Sequence, residues 1–80
     1  MEPTLGQVQA FAFNFAPSGW MKCQGQQLQI AQYQALFALL GTTYGGDGRT
    51  TFALPDLTTQ SKADNVNYCI AWNGVFPARD

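Results

Sequence analysis

The stretch from Ala31 to Leu57, AQYQALFALLGTTYGGDGRTTFALPDL, constrains the fold more than any other part of this chain. Tyr33, Leu36, Phe37 and Leu40 recur at i, i+3, i+4 and i+7, which predicts one helix of about ten residues with an apolar face. Gly41 follows at once, the residue type that most readily takes the positive φ ending a helix. A glycine-rich loop comes next, Tyr44-Gly45-Gly46-Asp47-Gly48, and then Thr50 to Leu54, which reads as extended. Pro55 holds Leu54 in an extended conformation and closes the element.

The loop is not a phosphate cradle. It leaves a helix instead of opening one, and no Gly-Lys-Ser/Thr sequence follows it. Gly45, Gly46 and Gly48 predict a tight turn with positive dihedrals, in which Asp47 accepts hydrogen bonds from nearby backbone amides. Arg49 is placed to pair with Asp47 or Asp56, fixing the loop against the Leu54-Pro55-Asp56-Leu57 corner.

On either side, alternation predicts short strands. In residues 6–15, Val8, Ala10 and Ala12 share one parity and Phe11, Phe13 and Phe15 the other. A strand apolar on both faces is covered on both sides or bulged, and in so small a chain a subunit interface can supply the second cover. Ala16-Pro17-Ser18-Gly19 is a turn. Trp20 to Cys23 and Gln27 to Ile30 then predict a hairpin around Gln24-Gly25-Gln26, with Trp20 as a core anchor. Val66, Tyr68, Ile70 and Trp72 alternate with Asn67, Cys69, Ala71 and Asn73, the pattern of a half-buried strand. Gly74 breaks it, and Phe76 is expected to dock against something, since an unanchored tail would be polar.

Composition narrows the function. Eighty residues make a single domain, 46% hydrophobic and 14% aromatic but only 11% charged, where about 25% charged is usual. Part of that apolar surface is therefore expected to be buried against other chains. A net charge of −1 without a basic cluster argues against nucleic acid as a partner. No apolar run approaches the ~20 residues of a membrane span, and MEPTLGQVQ lacks the features of a signal peptide, so a soluble chain is expected, exported if at all without a cleaved signal. With no histidine, no base beside Cys23 or Cys69, and Asp47 and Asp56 parted by a loop, the sequence predicts no enzyme and no catalytic, cofactor or metal site. The two cysteines read as small buried residues with free thiols; a single bridge is the alternative.

Several motifs occur in fixed order. Pro17-x-Gly19-Trp20-x-x-Cys23-x-Gly25-Gln26 leads to Ala35-Leu36-Phe37-x-Leu39-Leu40-Gly41. Thr43-Tyr44-Gly45-Gly46-Asp47-Gly48-x-x-Thr51-Phe52-x-Leu54-Pro55-Asp56-Leu57 follows. This series, without a gap over residues 6–57, resembles the phage tail collar domain, and most closely its bacterial branch, the microcystin-dependent protein family. Asn67-Tyr68-x-Ile70-Ala71-x-x-Gly74-x-Phe76-Pro77-x-Arg79 is similar to the ending of those proteins. Longer relatives carry a variable segment between the two parts; here only a polar, turn-rich connection, 58–65, joins the core motif, 6–57, to the final strand and tail, 66–80. The chain thus looks like a minimal collar domain. It reads Thr58-Thr59-Gln60-Ser61 where relatives have an arginine-glycine motif, and Ala31 where they have a serine or threonine helix cap, which leaves Asn65 or another distant group to supply one.

The expected fold is a small α+β domain of short antiparallel strands, one helix and a long glycine-rich loop. Trp20, Leu36, Phe37, Leu40, Phe52, Leu54 and Ile70 are its expected core. Phe11, Phe13, Phe15, Trp72 and Phe76 are the candidate interface. The resemblance implies a structural module of a phage tail fibre or of a phage-tail-like injection particle outside the cell. It also implies a homotrimer, whose partners are its own copies and neighbouring fibre or surface proteins. The doubly apolar first strand points the same way. The second reading is an adhesive module that binds a cell-surface glycan through Trp72, Asn73 and the hairpin glutamines.

Overall fold

A computed structural model describes residues 2–78; Arg79, the last residue of the C-terminal motif, lies outside them. The fold is α+β in two antiparallel sheets. Strands β1 (Val8–Phe11), β5 (Asn67–Ala71) and β2 (Trp20–Lys22) form one sheet in that order, and β3 (Gln27–Gln29) pairs with β4 (Thr51–Ala53) in the other. Helix α1 (Gln34–Leu40) follows a single 3₁₀ turn, Ile30–Gln32, and helix α2 (Thr58–Asp64) precedes β5.

The central position of β5 follows from its sequence. Cys69, Ile70 and Ala71 are all buried, so β5 is covered on both faces and not half-buried as its alternation predicts. Register places Val8 and Met21 on either side of Ile70, and Gln9 and Lys22 on either side of Cys69. Leu5, Cys23, Leu36, Phe52, Leu54 and Ile70 form the core. Phe37 and Leu40 pack against it but are only partly buried, with the Phe37 ring 5.5 Å from that of Phe52.

Cys23 and Cys69 are free thiols. Cys69 lies opposite Lys22, so by strand parity Cys23, one residue further along, turns to the other face of the sheet. Burial, and secondarily the neighbouring Cys69, push the Cys23 thiol up to about 11.

Four expectations are corrected. The first strand spans Val8–Phe11, not residues 6–15, because the chain bends from Ala12 to Phe15. Trp20–Lys22 and Gln27–Gln29 are not a hairpin; they belong to different sheets. Residues 23–26 run instead beside residues 54–57, laced by bonds from Gly25 N to Pro55 O, Leu54 N to Gln26 O, and Leu57 N to Cys23 O. The Gln26 side chain braces that crossover, donating to Lys22 O at 2.7 Å and accepting from Gln24 N at 3.0 Å.

Helix α1 has seven residues, not ten. Ala31 lies in the 3₁₀ turn before it, and Tyr33 occupies the N-cap without a side-chain cap. Gly41 ends it at φ 57°, ψ −143°, a combination open essentially to glycine alone. Finally, the polar connection is a second helix. Asp56 accepts from the amide and hydroxyl of Thr58 at its start, and Asn65, at φ 54° and ψ 42°, terminates it. Asn65 therefore caps α2 and not α1.

Candidate interaction surface

The glycine-rich loop is built around one carboxylate. Asp47 Oδ1 accepts from the amides of Thr51, Thr50 and Arg49 at 3.0, 2.8 and 2.8 Å, and the Thr50 hydroxyl donates to Oδ2 at 2.9 Å. Those donors, the Thr51 amide first, hold the Asp47 carboxyl well below the usual carboxylate range. It is the backbone of Arg49 that meets Asp47, and Asp56 is taken up by Thr58, so the expected pairing of the Arg49 guanidinium with either acid is not what fixes the loop. Gly45, Gly46 and Gly48 all take positive φ. At Gly46 an added Cβ would meet Thr51 O at 2.6 Å and the Phe52 Cα closer still, so the loop lies flat on β4. Pro55, two residues after β4, is buried.

The aromatic residues divide into enclosed and open groups. By register, Phe11, Trp20, Cys69 and Ala71 share one face of the three-stranded sheet. The Phe11 and Trp20 rings meet edge to face at 5.1 Å, closing over Cys69 and Ala71. Trp20 is thus a half-buried cover on the outer face, not a member of the central core. Phe13 lies 5.2 Å from Phe11, and Phe15 stacks on Phe13 at 4.5 Å. The row ends in solvent: Phe13 is 42% exposed and Phe15 58%. A depression of about 520 Å³ runs beside it, bounded by Gln9, Phe11, Phe13, Pro17 and Trp20.

Trp72 and Phe76 stand apart from this row. Trp72 packs edge-on against Tyr33, with ring centroids 5.9 Å apart. Phe76 is 54% exposed, so the described residues leave about half of it uncovered. Its neighbour Val75 makes a parallel bridge with Thr4, with Leu5 N donating to Val75 O at 2.8 Å and Val75 N to Pro3 O at 2.9 Å. Sequence reasoning misses Val8 and Val75 as surface residues. Alternation puts Val8 on the inner face, and only the edge position of β1 leaves it 42% exposed.

Among the described residues there is no group of three potential metal ligands, and no helix is long and apolar enough to cross a membrane. No curated protein and no solved structure matches the chain. The family model of the phage tail collar domain matches residues 6–61, from the turn before β1 to the middle of α2, and so takes in the Phe11–Phe13–Phe15 row, the Asp47 loop and the crossover between the sheets. On that match the chain belongs to the phage tail collar domain family, a family of structural tail domains.

Proposed function

We propose that this domain is a self-associating module of a tail fibre, assembling as a threefold collar through its open aromatic row. The observation that carries this reading is the row itself. Phe13 and Phe15 are stacked, ordered on Phe11 and Trp20, and half exposed. Exposed apolar surface on an 80-residue chain with 11% charged residues is the usual mark of a protein–protein contact. A ring of three is a heterologous contact that closes by rotation. It covers the row of one subunit with the next and gives Phe76 a neighbour to dock on. Each subunit pair is expected to bury on the order of 1,000 Å² or more.

Its partners on this reading are two further copies and the adjoining proteins of a virion tail or of an extracellular tail-like particle. We further read the chain as a minimal member of the microcystin-dependent branch, in which α2 occupies the place of the variable segment. Light scattering coupled to size exclusion, over a concentration series, tests the assembly. A trimer mass is expected at micromolar protein, and a mass that stays monomeric as concentration rises refutes it.

A further inference from the structure

We propose that the groove between α2 and β2 binds an acidic saccharide. Two adjoining depressions, of about 300 and 100 Å³, share Lys22, Ser61, Lys62 and Asn67. The larger reaches the lower end of the range of ligand pockets, about 300–1,000 Å³. Two lobes joined through four shared residues suit a short chain of sugar units more than a single compact group.

Charge is the first reason. The protein has four basic residues and a net charge of −1, yet two of the four line this groove, and neither lobe is lined by a carboxylate. Helix α2 produces the segregation. Thr58, Ser61, Lys62 and Asn65 recur at i, i+3, i+4 and i+7 and line the groove. The helix's own acid, Asp64, lines neither lobe and is engaged by the Tyr68 hydroxyl at 2.6 Å and by Gln60 Nε2 at 2.8 Å. Lys22 enters from β2, on the opposite wall. Two lysines lining one concave site, with no acid in its lining, concentrate anions there.

The uncharged groups narrow the class. Asn67 Nδ2 is buried without an acceptor, a costly state for an amide donor. Asn67 lines both lobes, and its broad χ2 torsion allows the stranded donor to turn into the groove. Asn14 and Asn65 add further amides around the larger lobe, more hydrogen-bonding groups than a bare anion uses. Phe13 supplies an apolar wall there, suited to the C–H face of a sugar ring. Lysines for a carboxylate or sulfate, amides for hydroxyls and a ring for the pyranose face together specify an acidic sugar. Of the aromatic row the groove uses only Phe13; its lysines and amides lie outside the row, and the two readings are separated by reading oligomer mass alongside binding.

The test is a titration of ¹⁵N-labelled protein followed by amide shifts, at matched ionic strength, with oligomer mass read separately by light scattering. The probes are trigalacturonate, a heparin tetrasaccharide, maltotriose and sodium sulfate. Saturable shifts at Lys22, Ser61, Lys62 and Asn67 are expected with at least one of the two acidic saccharides. Lys62→Gln, on the exposed side of α2, should weaken that binding about tenfold, as should Lys22→Gln, while Arg49→Gln leaves it unchanged. Equal binding of maltotriose, saturation by sulfate as readily as by the saccharides (a simple anion site only), shifts clustered elsewhere, or silence with both acidic probes would each overturn the assignment.

Discussion

Phe52 and Phe15 are the same residue in two different situations. Phe52 lies on β4 under the glycine-rich loop, beside Phe37, and is 0% exposed; Phe15 ends the aromatic row and is 58% exposed. Around Phe52 the chain supplies every wall itself: β4 below, Gly46 above, Leu36 and Leu54 at the sides of the same core. Around Phe15 it supplies one wall, the Phe13 ring. The hydrophobic free energy of the first phenylalanine is already committed to folding, and that of the second remains available for association.

The sharpest way to break this contrast is Phe52→Ala, which should cost about 3–5 kcal/mol, with Leu36→Ala close behind at about 2–5 kcal/mol. Small domains have about 5–15 kcal/mol in total, so both should show greatly lowered denaturant midpoints. Phe37→Ala, on a half-buried ring, should cost less than either. A wild-type midpoint for Phe52→Ala would show that the enclosed region is not what holds the fold.

Next in size is Gly46→Ala. The added methyl meets Thr51 O and the Phe52 backbone, at a φ of +94°. Backbone strain of this kind costs about 1–3 kcal/mol, read as a lowered melting temperature. An unchanged melting temperature would mean that the loop does not lie against β4.

Asp47 gives a smaller effect with a defined pH sign. Its folded-state pKa is depressed below the ordinary 3.8 by the Thr51, Thr50 and Arg49 amides. Its contribution is therefore present above pH ~3.8 and fades as pH falls towards the depressed value. Asp47→Asn should flatten this part of the acid limb of the stability profile while lowering stability at neutral pH. Parallel acid limbs in the two proteins would remove the amide cage from the account.

The smallest effect on fold stability is expected from Phe15→Ser, within about 0.5 kcal/mol, the usual range for surface changes. The same variant should lower the oligomer mass seen by light scattering. Loss of stability without loss of mass would reverse the assignment of the two phenylalanines.

What the sequence discloses follows the range of the interactions. The apolar face of α1, the break at Gly41 and the Asp47 turn are local, set within a few residues, and all three are legible. The hairpin assigned to Trp20–Ile30 fails because Gly25, at φ 75°, serves a crossover as readily as a turn. Whether the chain turns back there is decided by β4 and β5, some thirty to forty residues away. Helix α2 escapes notice because none of its residues is buried and it has no apolar stripe. Its signals are polar: Asp56 bonded to Thr58 at the start, Asn65 in the left-handed conformation at the end. The groove beside α2 was correspondingly invisible, since Lys22 and Lys62 come together only once that helix forms.

The parallel bridge between Thr4 and Val75 has a mechanical consequence. Tension applied at Pro3 and beyond Val75 in opposite directions would pull the two segments along each other, in shear. The Leu5–Val75 and Val75–Pro3 hydrogen bonds would then carry the load together instead of parting in succession. Gly74, whose missing Cβ lets the Pro3 carbonyl lie against it, is what permits this clasp to close.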